Sequence, residues 1–485
     1  MGSTWILIEH GDVIDGDANP VQQDTPVLIK DNLITAVGAG ADRSAVPRGE
    51  PLTVLDATGK TVLPGLIDGH CHMTYGEART EEEIDLYTSH ELRTLIAAWH
   101  MKKVLRSGVT SISQPGGSYF IGVGLREAVN RGMIEGPRTI SAGRYLSTSN
   151  SLTDWYPDSV GVPDGSIGVL TNTADEIKRE IRHQIKAGVD LIKLADSPFG
   201  EFQAFTDDEM KLAADLAHQH KRRITIHARG AAETAAAADA GFDWIMHGNI
   251  LDDHAIERLV ETGTPLVPTL LLLANFADWG AHCGAPQVAR DGSKALLELS
   301  AHSMHRAHEA GVKFITGTDS GFSVTPYGEW HAREIELLVQ FAGLTPLEAI
   351  QAATKNAAIT VNLEGWLGEI APGKIADVLV IDGDPLKDLS VLWRHTVDKI
   401  VIKDGNVVDT REEDIDLERF KYRRNRALVH SLSDLRQENV YDGIAPADNM
   451  VSPNFLWTEA ESHDIAREVR KQEDGQVSEG NLVDD

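Results

Sequence analysis

The hydrophobic and polar positions of the chain follow two periods, one of two residues and one of three to four. Short runs with the strand period, separated by turn residues, occur near both ends. The first set comprises Trp5–Glu9, Val27–Lys30, Leu33–Val37 and Thr53–Asp56. The second set comprises Gly368–Ile370, Ala376–Ile381, Lys399–Lys403 and Asn406–Thr410. The pattern predicts one composite β-sandwich, formed by residues 1–63 and 363–411 together.

Residues 64–362 alternate between apolar runs that suit buried strands and segments with helical periodicity. The predicted strands are Leu66–Asp68, Val109–Ile112, Thr139–Ala142, Leu191–Leu194, Ile224–Ile226, Trp244–Met246, Leu266–Val267 and Phe314–Thr316. Helices are predicted between them, for example over Glu91–Leu105 and Ala174–Ala187. Eight strands, each followed by a helix, predict a (β/α)₈ barrel of the α/β class. A doubly wound sheet is the alternative, but it would carry a glycine-rich phosphate turn where this chain has Gly69-His70-Cys71-His72.

The composition narrows the classes of partner. Among 485 residues, 74 are acidic and 45 basic, so the net charge is −29, which argues against nucleic acid or an anionic membrane as the partner. Two cysteines imply no disulfide framework and favour a reducing compartment. The start of the sequence lacks the pattern of a secretory signal, and no run approaches the roughly 20 apolar residues of a membrane span. We therefore expect a cytoplasmic protein that acts on a small molecule.

Four histidines, which are good metal ligands, stand at the ends of predicted strands, as do one lysine and one aspartate. They are His70, His72, Lys193, His227, His247 and Asp319. Because the carboxyl ends of barrel strands meet at one mouth, these side chains are expected to converge. Imidazole and carboxylate ligands favour zinc, and cobalt or manganese would fit the same set.

Several motifs together resemble the amidohydrolase superfamily. They are Pro64-Gly65-Leu66-Ile67-Asp68-Gly69-His70-Cys71-His72, Ile192-Lys193, His227-Ala228-Arg229-Gly230, His247-Gly248, Thr316-Gly317-Thr318-Asp319 and Gly368-Glu369-Ile370 with Gly373-Lys374 and Ala376-Asp377. The resemblance covers about residues 11–409. It is strongest to the imidazolonepropionase-like group, which includes prolidase-type dipeptidases and ochratoxin-type amide hydrolases. The family fold is a metal-bearing (β/α)₈ barrel with a side β-sandwich.

The resemblance implies a role for each candidate ligand. His70 and His72 would bind the more buried metal with Asp319, and His227 and His247 would bind the second. Lys193, carboxylated by CO₂, would bridge the two. Two divalent ions about 3.5–4 Å apart bring the pKa of a bridging water into the neutral range. Asp319 would carry the proton to the leaving nitrogen, so the expected activity is hydrolysis of a C–N bond in a small amide, dipeptide-like, carbamate or urea substrate.

Two other functions remain as alternatives. A mononuclear deaminase of the same superfamily would carry a glutamate as His-x-x-Glu, where this chain has Gly230, and would lack the bridging Lys193. A non-catalytic scaffold that keeps the barrel for binding would be expected to have lost one or more ligands, and this sequence retains all six.

Three residues are candidate substrate contacts. Arg229, two residues beyond His227, would either grip a substrate carboxylate or carbonyl, or pair with a local acid such as Asp196. Asn150 and Asp196 are the other candidates. Asn150 lies in Thr148–Asp154, where prolidase-type relatives read Thr-Gly-Gly-His-x-Asp. The missing histidine argues against dipeptidase activity of the usual kind.

Residues 412–485 form an extension beyond the family pattern. It is expected to be partly helical, and its acidic end, Gly475–Asp485, is expected to be disordered. A basic cluster, Lys421–Arg426, suggests packing against a second subunit, so we expect a homo-oligomer.

Overall fold

The computed structural model describes residues 4–86, 88–394 and 397–410. The extension that we predicted over 412–485, with its basic cluster, lies outside the described residues. Within them, no helix is long and apolar enough to cross a membrane.

Strands from both ends of the chain form two sheets. A four-stranded sheet has the order Leu33–Val37, Val27–Lys30, Trp5–Glu9, Leu52–Asp56. A five-stranded sheet has the order Asn406–Val407, Lys399–Lys403, Val378–Asp382, Lys60–Pro64, Asp12–Val13. In the second sheet, Lys60–Pro64 pairs antiparallel with Val378–Asp382, so segments more than 300 residues apart share one ladder. The division into domains stays a prediction.

One predicted strand of this region is wrong. Residues 368–370 form no strand, and Gly368 has a φ of +86°, with Thr354 backbone atoms 2.5 Å from where a Cβ would lie. The chain therefore bends at Gly368. After the bend, Ile370 N–H donates one hydrogen bond to the Asp15 carbonyl, at 2.9 Å, without forming a strand ladder.

The middle of the chain forms parallel sheets, as the strand–helix alternation predicted. A three-stranded sheet has the order Leu66–Asp68, Val109–Gln114, Arg138–Ser141. A six-stranded sheet has the order Gly168–Leu170, Tyr145–Ser147, Leu191–Ala195, Arg223–Ala228, Trp244–His247, Leu266–Val267. The predicted eighth strand contributes a single parallel bridge, Leu266 with Phe314, rather than a ladder. Closure into a continuous eight-stranded ring stays a prediction.

Helices follow most of the parallel strands. The α-helices are Glu81–Asp85, His90–Arg106, Ile121–Asn130, Ala174–Ala187, Asp207–Gln219, Ala231–Ala240, Asp253–Thr262, Leu270–Trp279, Gln287–Glu309, Arg333–Leu337 and Pro346–Ala352. Short 3₁₀ turns span Arg43–Ala45, Asn356–Val361 and Leu389–Leu392, and Leu338–Ala342 is a π-turn.

Helix Ala174–Ala187 shows how local sequence sets the bounds of these elements. The Thr173 hydroxyl accepts from Glu176 N–H and caps the start, and Gly188 ends the helix at a φ of +95°. Ile177 and Ile181 are fully buried on its inner face. The predicted start, end and apolar stripe are all confirmed.

A buried ion cluster links the parallel sheets to the five-stranded sheet. Arg138 donates to Asp377 through two nitrogens, at 2.8 and 3.3 Å, and also pairs with Asp404. Asp377 is only 2% exposed. Without the guanidinium, its carboxylate would be a buried charge with no counter-ion.

We predict that Arg138→Met lowers the free energy of unfolding by about 3–5 kcal/mol, because it leaves this carboxylate uncompensated. Denaturant unfolding measures the change. The matched control is Arg131→Met, whose arginine side chain is 70% exposed beside Glu127, and it should change stability by less than about 0.5 kcal/mol. Equal effects of the two substitutions would contradict this account of the ion cluster.

Candidate metal centre

Three of the predicted ligands converge at the ends of two segments that are far apart in sequence. His70 and His72 follow strand Leu66–Asp68, and Asp319 follows the segment that bridges to Leu266. The two Nε2 atoms are 3.0 Å apart. Asp319 Oδ1 lies 3.4 Å from His70 Nε2 and 3.1 Å from His72 Nε2. All three side chains are buried.

The Nδ1 atoms of His70 and His72 each have a hydrogen-bond partner that fixes the tautomer of the ring. The Gly116 carbonyl lies 2.8 Å from His72 Nδ1, and because a carbonyl can only accept, this nitrogen carries the proton. The Thr269 hydroxyl donates to the Val267 carbonyl at 3.2 Å, and so it accepts from His70 Nδ1–H at 3.1 Å. Both inward Nε2 atoms are therefore left with lone pairs that face a carboxylate. A cation fits this set of donors, because it would offset the mutual repulsion of the two lone pairs and the carboxylate.

The other predicted ligands adjoin this group. The His247 ring centroid is 5.3 Å from that of His70 and 4.3 Å from that of His227. His227 Nε2–H donates to the Pro198 carbonyl at 3.3 Å, which leaves Nδ1 as its donor atom for a metal. His247 Nδ1 is buried without a hydrogen-bond partner among the described residues. Donor atoms of His70, His247 and Asp319 lie within 4.8 Å of one another.

Lys193 lies inside strand Leu191–Ala195 and is 1% exposed. Its amine contacts Met246 Sδ and lies 5.7 Å from the centroid of the Tyr145 ring. Burial lowers the pKa of Lys193 to about 7, so a large fraction of the amine is neutral at neutral pH.

Three of the histidines and Asp319 are in protonation states that suit metal binding. Burial lowers the pKa of His70, His227 and His247 well below the ordinary value, so the rings are neutral. Burial alone would raise the pKa of Asp319, but its interactions with the neighbouring imidazoles and with the Arg229 charge outweigh burial and lower the pKa. The aspartate is thus ionised at neutral pH.

Two of these ligands have strained backbones. His247 has a φ of +78° and Asp319 a φ of +56°, in the left-handed region that non-glycine residues seldom adopt. Neighbouring hydrogen bonds hold them there: Asp319 N–H donates to the His70 carbonyl at 2.7 Å, and Gly248 N–H donates to the Ala228 carbonyl at 2.8 Å. Backbone strain of this kind persists where the surrounding structure holds a residue in place, and it is common at functional sites.

Asp68 joins the two ligand-bearing segments. Its carboxylate accepts from His70 N–H at 3.0 Å, from Thr318 N–H at 3.1 Å and from the Thr318 hydroxyl at 2.5 Å. His331 Nδ1 donates to it at 2.7 Å, while His331 Nε2 accepts from Gly328 N–H. Sequence reasoning missed the role of Asp68, although a carboxylate that ends an apolar run two residues before His70 was a usable signal.

Two tyrosines that the sequence did not single out also border the site. The Tyr145 hydroxyl lies 3.0 Å from His72 Nε2 and 2.6 Å from the Tyr75 hydroxyl. The Tyr75 ring stacks on the His72 imidazole with centroids 4.3 Å apart. The Tyr75 ring and the Tyr145 hydroxyl therefore both lie against His72.

The three candidate substrate contacts lie in different surroundings. Arg229 is buried and donates to Asn249 Oδ1 at 2.5 Å. Asp196 accepts from the backbone amides of Ser197, Ala204 and Phe205, so its carboxylate organises its own loop instead of pairing with Arg229. Asn150 is exposed, has a φ of +68° and donates its N–H to Asp154. Substrate contact by any of the three stays a prediction.

Comparisons with known proteins agree with the geometry. A sequence profile of the amidohydrolase family matches residues 61–408. Ochratoxinase of Aspergillus niger is 29% identical over 437 residues, which cover 83% of this chain and 86% of that protein. Imidazolonepropionase of Porphyromonas gingivalis is 26% identical over 439 residues, covering 83% and 93%.

A solved structure of a Xaa-Pro dipeptidase with bound methionine in the active site is also similar. It superposes with a TM-score of 0.73 at 29% identity and covers 84% of this chain and 100% of its own. The similarity indicates an α/β fold with a TIM-type barrel.

We predict that Asp68→Asn weakens metal binding by about 10–100-fold, because the amide cannot accept from all the donors that surround the carboxylate. Competitive titration of the apoprotein with zinc measures the affinity. Asp382→Asn, on the exposed end of strand Val378–Asp382, is the matched control and should leave the affinity unchanged. Unchanged zinc affinity in Asp68→Asn would show that Asp68 does not position the candidate metal ligands.

Proposed function

The chain belongs to the amidohydrolase family, whose members hydrolyse C–N bonds, and we propose that it is a binuclear metal-dependent hydrolase of a small amide, dipeptide-like, carbamate or urea substrate. The observation that carries the proposal is the meeting of two imidazole lone pairs and the Asp319 carboxylate within 3.0–3.4 Å.

We assign His70, His72 and Asp319 to one ion, and His227 and His247 to the other. Imidazole and carboxylate donors favour zinc, with cobalt or manganese compatible. Bound there, the ions would supply a water of near-neutral pKa and a Lewis acid for the substrate carbonyl.

Lys193 would bridge the two ions as a carbamate. The neutral amine is the form that attacks CO₂; a C–N bond forms, one proton is released, and the product offers two anionic oxygens. The pKa of about 7 supports this reaction at neutral pH. Lys193 is buried in the strand that pairs with the strand of His227, and this favours the binuclear enzyme over a mononuclear deaminase.

Asp319 would move the proton. Its carboxylate is ionised and would accept a proton from the attacking water, then pass it to the substrate nitrogen as the C–N bond breaks. The amine thus leaves neutral, and the acyl group keeps the water oxygen. The hydrogen bond from Asp319 N–H to the His70 carbonyl, at 2.7 Å, keeps the carboxylate beside both ligand rings.

Metal removal tests the proposal. We expect purified protein to contain about two divalent ions per chain, and chelation to abolish hydrolysis of a panel of N-acyl amino acids, dipeptides, carbamates and phenylureas. Added zinc, cobalt or manganese should restore it. Absence of divalent metal, or full activity after chelation, would contradict the proposal.

Lys193→Ala should bind fewer metal ions and lose nearly all activity. Carbon-13 NMR of wild-type protein exchanged into labelled bicarbonate should show a carbamate signal that the variant lacks. Lys178→Ala, on the outer part of helix Ala174–Ala187, is the matched control and should keep both the signal and the activity. A Lys193→Ala protein with full metal content and turnover would overturn the assignment.

A further inference from the structure

Helix Leu270–Trp279 begins beside the candidate metal centre at Thr269, its N-cap residue. A threonine at an N-cap normally accepts a hydrogen bond from an amide of the first helical turn. Within the described residues, the Thr269 hydroxyl makes no such bond. It donates instead to the Val267 carbonyl at 3.2 Å and accepts from His70 Nδ1–H at 3.1 Å. Thr269 therefore serves a candidate metal ligand and not its own helix.

Glu334 caps this helix from a segment that is distant in sequence. Its Oε1 accepts from Leu270 N–H at 2.9 Å, and its Oε2 accepts from Leu271 N–H at 2.7 Å. The Glu334 side chain is fully buried. A buried carboxylate is costly unless N–H donors surround it, and the first turn of a helix supplies such donors. The two bonds stabilise the helix start without help from the Thr269 hydroxyl.

The residue next to Glu334 holds the same helix at a second place. Arg333 donates to Asn275 Oδ1 and, at 2.6 Å, to Asp278 Oδ2. Arg333, Asn275 and Asp278 are all buried. Because the helix is gripped at its start and again further along, the Glu334 carboxylate has a fixed position at the first turn.

The segment that carries Glu334 also supports the backbone of His70. His331 Nδ1 donates to the Asp68 carboxylate at 2.7 Å, and Asp68 accepts from His70 N–H at 3.0 Å. Glu334 reaches the ring of His70 by the other route, through the helix start and Thr269. Residues 331–334 therefore act on both the backbone and the imidazole of one candidate ligand.

We propose that Glu334 is a positioning residue of the metal centre, which caps helix Leu270–Trp279 in place of Thr269 and so leaves the Thr269 hydroxyl to hold the His70 ring. The inference rests on the proposed function, because it takes His70 as a metal ligand. Thr269 has a φ of +58°, in the left-handed region, whereas an N-cap residue that uses its own side chain is usually extended. Without Glu334, Thr269 becomes extended, caps its own helix and releases His70 Nδ1–H.

The place of one proton on His70 decides whether Nε2 can bind a cation. A ring with its proton on Nδ1 keeps an Nε2 lone pair, and this atom lies 3.0 Å from His72 Nε2 and 3.4 Å from Asp319 Oδ1. A ring that has lost the Thr269 acceptor can carry its proton on Nε2, where no lone pair then remains. Glu334 thus acts on metal affinity through the tautomer of His70.

Zinc titration of the metal-free protein measures the effect on affinity. We expect Glu334→Ala to weaken zinc binding by about 10–100-fold, as is typical when the support of a ligand is lost. Glu334→Gln keeps one acceptor oxygen, so its affinity should lie between those of wild type and Glu334→Ala. The matched control is Glu336→Ala, on the same helix, which removes a carboxylate that accepts from Trp393 Nε1 at 3.0 Å. It should keep the wild-type affinity, and equal losses in Glu334→Ala and Glu336→Ala would overturn the proposal.

NMR of the metal-free protein with nitrogen-15 in its histidines separates positioning from general destabilisation. The shifts of the ring nitrogens show which one carries the proton, and a His70→Gln sample assigns the His70 signals. Wild type and Glu336→Ala should carry the His70 proton on Nδ1 alone, and Glu334→Ala should show both tautomers. Glu334→Gln, with a smaller share of the second tautomer, serves the same comparison if Glu334→Ala does not fold.

This readout needs neither bound metal nor turnover, so it separates failure of the inference from failure of the proposed function. The expected tautomers in a protein that hydrolyses none of the test compounds would uphold the role of Glu334 and reject the hydrolase. A wild-type His70 with its proton on Nε2, or the same tautomer in wild type and in the Glu334 variants, would overturn the inference.

A double-mutant cycle tests whether Glu334 acts through Thr269. Thr269→Val removes the hydroxyl and keeps the branched shape, so it should reproduce the tautomer mixture and the loss of zinc affinity. If both residues belong to one path, the double variant should lose no more affinity than the more affected single variant. Losses that add would show that the carboxylate acts by another route and would overturn the proposal.

Discussion

The proposed metal centre depends on one buried carboxylate. Asp68 accepts hydrogen bonds from His70 and from Thr318, which are 2 and 250 positions away in the sequence. It therefore ties the His70–His72 segment to the segment that carries Asp319. A buried carboxylate without these donors would be strongly unfavourable, so the two segments are held together by its need for hydrogen bonds. Asp68 thus holds together the two backbone segments that carry the candidate ligands His70, His72 and Asp319.

Energetically unfavourable buried charges are concentrated at this site. Lys193 and Arg229 are buried basic side chains, and Asp319 is a buried anion beside two imidazoles. His247 and Asp319 add backbone strain. The parallel strands and their helices supply the apolar core that tolerates these features, and bound metal and substrate would complete the charges. Buried charges and backbone strain of this kind are typical of functional sites.

The sequence predicted local features better than it predicted contacts between distant segments. Helix Ala174–Ala187 could be predicted to the residue because capping, periodicity and a terminal glycine are all local signals. The strand over residues 368–370 failed because Gly368 turns the chain where it packs on Thr354. The partners of Asp68 and Tyr145 come from distant segments, and hydrogen bonds across a fold leave no periodic trace in one sequence.

Anomalous X-ray diffraction from crystals of the zinc-loaded protein tests the central claim most directly. The account predicts two peaks about 3.5–4 Å apart, one among His70, His72 and Asp319 and the other beside His227 and His247, with density joining them to Lys193. A single peak outside this group, or none between these side chains, would contradict it.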